Sequence, residues 1–272
     1  MSATLTPVFQ ALLNEAQFTR QILGSGCTQI RRANYATKGT YFLALVSLST
    51  GIERLGKLCL MLDHYLEHGR FPDLAHLKQQ IGHRLLLLYQ RTDALVTRRG
   101  LQLKYRQQLS DPFHSAILDC LHRFAEGDRY SNINLLVGAP SSSDPISLWH
   151  EKVDMPLFDK HVSPARKVLI GSKARAMAQM MAGHTMVLYT SETGDTISDM
   201  ENASYRTGVF EFVGPYRQLY VLQIIRYWVE VLSELQHRAM RISSDIPEFS
   251  EVLGIFQGED AYFKSRKTWE RE

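Results

Sequence analysis

Apolar residues along the chain recur mainly at spacings of three and four, the period of a helix with one buried face. Leu5, Val8, Phe9, Leu12, Leu13, Ala16 and Phe18 open this pattern and predict a first helix over residues 5–34. Gly24 and Gly26 should bend or interrupt it. TYFLALVSLSTGIERLGKLCLMLDHYLEH, residues 40–68, carries the strongest rhythm. Glu53 and Lys57 form an i,i+4 pair there in the favoured order, and Gly51 and Gly56 let another helix approach closely. Gly69 is placed as a C-terminal stop, and Pro72 bars continuation.

A further helix is predicted over residues 73–100, with Asp73 as its N-cap. Another runs from Asp111-Pro112 to Gly127, with the proline at the first helical position. RYSNINLLVGAPSSSDP then breaks the pattern, and Gly138–Ser143 is the best linker. Helical segments follow near 145–160, 164–190, 215–241 and 246–256. Sustained period-two alternation, fixed-period repeats and low-complexity tracts are all absent. The predicted fold class is all-α: a helical bundle over 1–137 and a helical extension over 145–272, which can pack as one continuous domain.

Composition changes this picture little. A chain of 272 residues, 44% apolar and 22% charged, can build a real core. The net charge of +3 permits an RNA or phosphate partner without arguing for one, because polyanion binding needs clustered charge. The N-terminal MSATLTPVFQ lacks a basic segment followed by an apolar one, so no signal peptide is expected. No stretch reaches the roughly 18 uninterrupted apolar residues of a membrane span. The nearest candidate is broken by Glu211, Arg217 and Arg226. Cys27, Cys59 and Cys120 are odd in number and lack C-x-x-C spacing, which favours free thiols in a reducing cytoplasm.

Candidate chemistry concentrates in HYLEHGRFPDLAH, residues 64–76. His64-x-x-Glu67-His68 matches a zinc-peptidase pattern, in which two histidines share a helix face and a glutamate polarises water. No third ligand is identifiable by spacing among His76, His83, Asp119 and His122, and no metal or cofactor is expected. His83 follows Gly82 and precedes a leucine run. An imidazole beside a core-facing stripe needs a partner, and the Glu53–Lys57 helix is the expected neighbour. Arg31, Arg32 and Lys38 form one basic cluster; Arg98, Arg99, Lys104 and Arg106 form another. Tyr35 and Tyr105 sit among them, a combination that suits single-stranded RNA or an ordinary solvated connection. Tyr216, Tyr220, Tyr227 and Trp228 recur near helical spacing and read as core or dimer interface. There is no G-x-S-x-G, Walker or G-x-G-x-x-G motif.

GIERLGKLCLMLDHYL, FPDLAHLKQQIGHRLLLLY and DRYSNINLL together give Glu53 with Lys57, Gly82-His83, and Arg129-Tyr130-Ser131-Asn132-Ile133-Asn134. In these features, over about residues 10–136, the chain resembles bacterial proteins of the HEPN superfamily. The resemblance implies a four- or five-helix bundle, often a homodimer, associated with RNA in bacterial defence, toxin–antitoxin or stress systems. A partner protein in a defence complex is a further expectation. Catalytic members are metal-independent ribonucleases using Arg-x4–6-His. Arg70-x5-His76 has that spacing, although Phe71 stands where the family usually has Asn, Asp or His. The resemblance thus nominates Arg70, His76 and His83 as catalytic. Arg129, Asn132 and Asn134 are RNA-binding candidates that could instead cap the preceding helix, and the basic cluster adds Arg98 and Arg99 as RNA-binding. Cleavage without a metal needs a base for the 2′-hydroxyl, an acid for the leaving oxygen and a cation for the phosphorane. The alternative is a non-catalytic interaction, scaffold or sensor module of the same fold.

Overall fold

The computed structural model describes residues 5–106, 112–140 and 143–270. These are mostly helical, and the all-α expectation holds. α1 (Pro7–Arg32) and α2 (Lys38–His68) form a long helical hairpin. The chain then makes a three-residue turn of helix, α3 (Leu74–His76), before α4 (Leu85–Arg99) and α5 (Pro112–Glu126). Short helices α6 (Ser131–Leu136), α7 (Pro145–Trp149) and α8 (Met155–His161) follow, then α9 (Pro164–Met181). A two-stranded antiparallel hairpin, β1 (Tyr189–Thr190) with β2 (Thr196–Ile197), leads into α10 (Met200–Met240). α11 (Phe249–Leu253) and α12 (Asp260–Ser265) end the fold.

α2 is the central element, with α1, α4, α5 and α10 packed around it. One apolar core runs from Leu12 on α1 through Leu55 and Cys59 on α2 to Trp228 and Leu232 on α10. It therefore joins residues on both sides of the Gly138–Ser143 stretch. Gly69 ends α2 in the left-handed conformation at φ 69°, as the sequence predicts. Asp73 caps the next turn by accepting from the His76 N–H at 2.8 Å. The expected cap Asp111 and the linker residues Ser141 and Ser142 lie outside the described residues. No helix among those residues is long and apolar enough to cross a membrane.

Several elements differ from the sequence expectation. The helix expected near 164–190 ends at Met181, and Tyr189–Thr190 pairs as β1 instead. α1 runs unbroken through Gly24 and Gly26, because both are contact points rather than hinges. A Cβ at Gly24 would strike the Trp269 carbonyl, and one at Gly26 would strike Leu48. The helix expected over 73–100 is interrupted by Gly82 at φ 66°, which turns the chain between a π-type turn and α4. The segment expected from 215 begins fifteen residues earlier, so that Pro215 lies inside α10. The Gly214 site there packs against the Arg31 carbonyl of α1.

Cys27, Cys59 and Cys120 are all free and buried. Burial raises each thiol, Cys120 to about 12. An aromatic disulfide reagent should therefore titrate none of them in the native protein, and all of them in denaturant. A thiol reacting at the rate of free cysteine in the native state would contradict this burial.

Candidate functional site

The side chains that gather do so at the C-terminal end of α2. His64 and His68, one turn apart, stack with ring centroids 4.1 Å apart. The Gly69 turn folds the chain back, and Asp73 then starts α3 so that His76 meets His64 edge-on, 4.6 Å between centroids. Arg91 and Arg98, seven residues apart on one face of α4, complete an open cleft of about 450 Å³.

Two backbone contacts fix the tautomers of this cluster. His64 Nδ1 lies 3.0 Å from the Arg70 carbonyl, and His68 Nδ1 lies 3.1 Å from the His64 carbonyl. A carbonyl can only accept, so each Nδ1 carries a proton. The neutral ring then keeps its lone pair on Nε2, where it can act as a base. The arginines divide in their commitments. Arg98 pairs with Asp63 and Glu67, while Arg99 pairs with Asp63 on the same buried carboxylate. Arg91 is different. Its Nη1 is buried with no hydrogen-bond partner among the described residues.

The zinc pattern places His64 and His68 on one face as it requires. Among the described residues, however, no three His, Cys, Asp or Glu side chains are arranged to hold a metal ion.

The nominated residues scatter. His76 lines the cleft, whereas Arg70 contributes its carbonyl and leaves its exposed side chain outside the lining. His83 meets the expected partners: its Nδ1 is 2.8 Å from Glu53 and 3.1 Å from Lys57. It is not beside the core, however, because the Gly82 turn leaves its side chain 77% exposed. Arg129 and Asn132 share a hollow with Lys38 and Phe42 at the opposite end of α2. At about 1.5 Å rise per residue, Phe42 and His64 are roughly 33 Å apart along the helix. Asn134 is on α6 at that same far end, its carbonyl accepting from the Ala139 N–H at 2.9 Å. Of the expected basic clusters, Arg31 donates to Gln218 and the Lys264 carbonyl, Lys104 pairs with Glu259, and Arg106 with Asp93.

Sequence reasoning missed Arg91. The signal available was the seven-residue step from Arg91 to Arg98, which puts both on one helix face. No protein-family model matches the chain, and neither the curated proteins nor the solved structures give a significant match.

Proposed function

We propose that this is a HEPN-like, RNA-associated protein whose histidine cleft is a metal-independent endoribonuclease centre. The observation that carries this reading is the contact of three imidazoles, two with fixed tautomers, beside Arg91, whose Nη1 has no partner among the described residues. A neutral imidazole takes the proton of a ribose 2′-hydroxyl at Nε2. The resulting oxygen attacks the adjacent phosphorus, and the P–O5′ bond breaks. A second, protonated imidazole gives its proton to the departing 5′ oxygen. The products are a 2′,3′-cyclic phosphate and a 5′-hydroxyl. Arg91, with Arg98 beside it, faces the charge that builds on the phosphorane.

Homodimerisation belongs to the same proposal. Leu135, Leu136 and Val137 stand 71–85% exposed in one run at the end of α6, and Leu43 is also exposed on α2. A role in bacterial defence or stress response rests on the family resemblance alone, and a cytoplasmic location on the cysteine pattern. One observation favours a second reading, a non-catalytic scaffold or sensor subunit. The Arg70 guanidinium stands outside the cleft, and Arg129 and Asn132 lie at the other end of α2.

The test is incubation of the purified protein with a mixed labelled RNA pool in EDTA, beside His76→Ala and His83→Ala. Light scattering on the same preparation should give twice the chain mass. Cleavage leaving cyclic phosphate ends is expected from the wild type and from His83→Ala, and not from His76→Ala. Absence of cleavage by the wild type would favour the scaffold.

A further inference from the structure

A second cavity, of about 350 Å³, lies near the opposite end of α2 from the histidine cleft. It is bounded by α10, by the turn His150–Asp154 that joins α7 to α8, and by the β1–β2 hairpin. Met155, Tyr205, Val209 and Phe210 give it an apolar and aromatic wall. Tyr41, Asp154, Glu192 and Arg206 supply a polar floor and side. From Tyr41 to His64 is roughly 35 Å along α2, at about 1.5 Å per residue, so the two sites are distinct.

The charges of this cavity do not balance. Arg217, just behind it, holds Asp154 at 3.0 Å, and Arg206 holds Glu192 at 3.0 Å. Each arginine thereby matches one carboxylate. Glu151 is left over, and no lysine or arginine among the described residues pairs with it. It accepts from the Ser147 hydroxyl at 3.2 Å. Its neighbour His150 has its own approach to a carboxylate, Asp154, at 4.0 Å. The cavity is therefore lined by one exposed carboxylate without a cationic partner among the described residues, together with the aromatic side chains of Tyr205 and Phe210.

A volume of this order holds a small organic molecule. An anion entering it would meet the unmatched Glu151, while a cation gains from that carboxylate and from the aromatic lining. We propose that this cavity binds a small organic monocation, an ammonium group on an aromatic or aliphatic body. The ammonium sits at Glu151, and the body lies against Tyr205, Val209 and Phe210.

The experiment uses the full chain and three probes of one size: 2-phenylethylammonium, 3-phenylpropanoate and 2-phenylethanol. Binding is read by saturation-transfer NMR and calorimetry. The ammonium should bind, and the carboxylate should not. Glu151→Gln changes an exposed side chain and should leave the unfolding transition in place. It should weaken ammonium binding by about tenfold or more, the scale of a hydrogen bond to a charged group. Val209→Trp should block the cavity and abolish binding; if that variant fails to fold, Glu151→Gln decides alone. Equal binding of ammonium and carboxylate would overturn the proposal. So would undiminished affinity in Glu151→Gln, or no ammonium binding to the wild type at millimolar concentration.

Discussion

Replacing Arg217 by methionine is expected to destabilise the protein by about 3–5 kcal/mol, because it leaves a buried carboxylate without its cation. Arg217 is fully buried in α10, and its Nη1 donates to Asp154 at 3.0 Å and to the Tyr41 hydroxyl at 2.9 Å. Its Nη2 donates to the Ala33 carbonyl. Asp154 accepts in addition from the Tyr41 hydroxyl at 2.8 Å and from Trp149 Nε1 at 3.0 Å. Four segments of chain thus meet at one ion pair: the end of α1, the start of α2, the α7–α8 turn and α10.

The pH dependence of the variant follows from Asp154. Burial raises its carboxyl, and Arg217 is the largest influence pulling it back. Without Arg217 that rise is less opposed, so the folded state binds a proton more tightly than the unfolded state. Stability then falls as pH climbs from the unfolded carboxylate range through the folded value. Urea unfolding should show the loss smallest in acid and growing towards neutrality. Adding Asp154→Asn to Arg217→Met should recover a large part of it, since the uncompensated charge is gone. A loss below about 0.5 kcal/mol in the single variant, the scale of an ordinary surface change, would refute a structural role for the pair.

Arg217 also marks where the sequence stopped being legible. In the linear pattern it interrupts an apolar run, together with Glu211 and Arg226, and nothing nearby names its partner. Asp154 is 63 residues away. Sequence signals are legible where the physics is local. Periodicity set α2, Gly69 and Pro72 ended it, and Asp73 capped the next turn. Glycine inside a helix was ambiguous because its intrinsic cost is the same whether it bends the helix or admits a neighbour. Only Trp269 and Leu48 decide that for Gly24 and Gly26. The same division holds in the histidine cleft. His64 and His68 share a face by spacing alone, whereas the approach of His76 depends on the turn between helices. Arg91 belongs to another helix altogether.

The sharpest test of the cleft sets His64→Ala against Arg70→Ala in the RNA assay. The sequence motif pairs Arg70 with His76, but the geometry makes His64 the hub, in ring contact with both His68 and His76. Removing one acid–base group from a working pair typically costs about 10²–10⁴-fold in rate, and His64→Ala should fall in that range. Its fold should survive, because His64 is only half-buried and its lost bond to the Arg70 carbonyl is worth about 0.5–1.5 kcal/mol. Arg70→Ala keeps that carbonyl and removes a side chain outside the cleft, so its rate should stay near wild type. Arg91→Met should resemble the loss of one donor to a developing oxyanion, about 10²–10³-fold. The reverse pattern, with Arg70 essential and His64 and Arg91 dispensable, would return the chemistry to the linear motif. It would also mean that a rearrangement or a second copy brings the Arg70 guanidinium to His76, and the cleft as drawn would not be the reacting state.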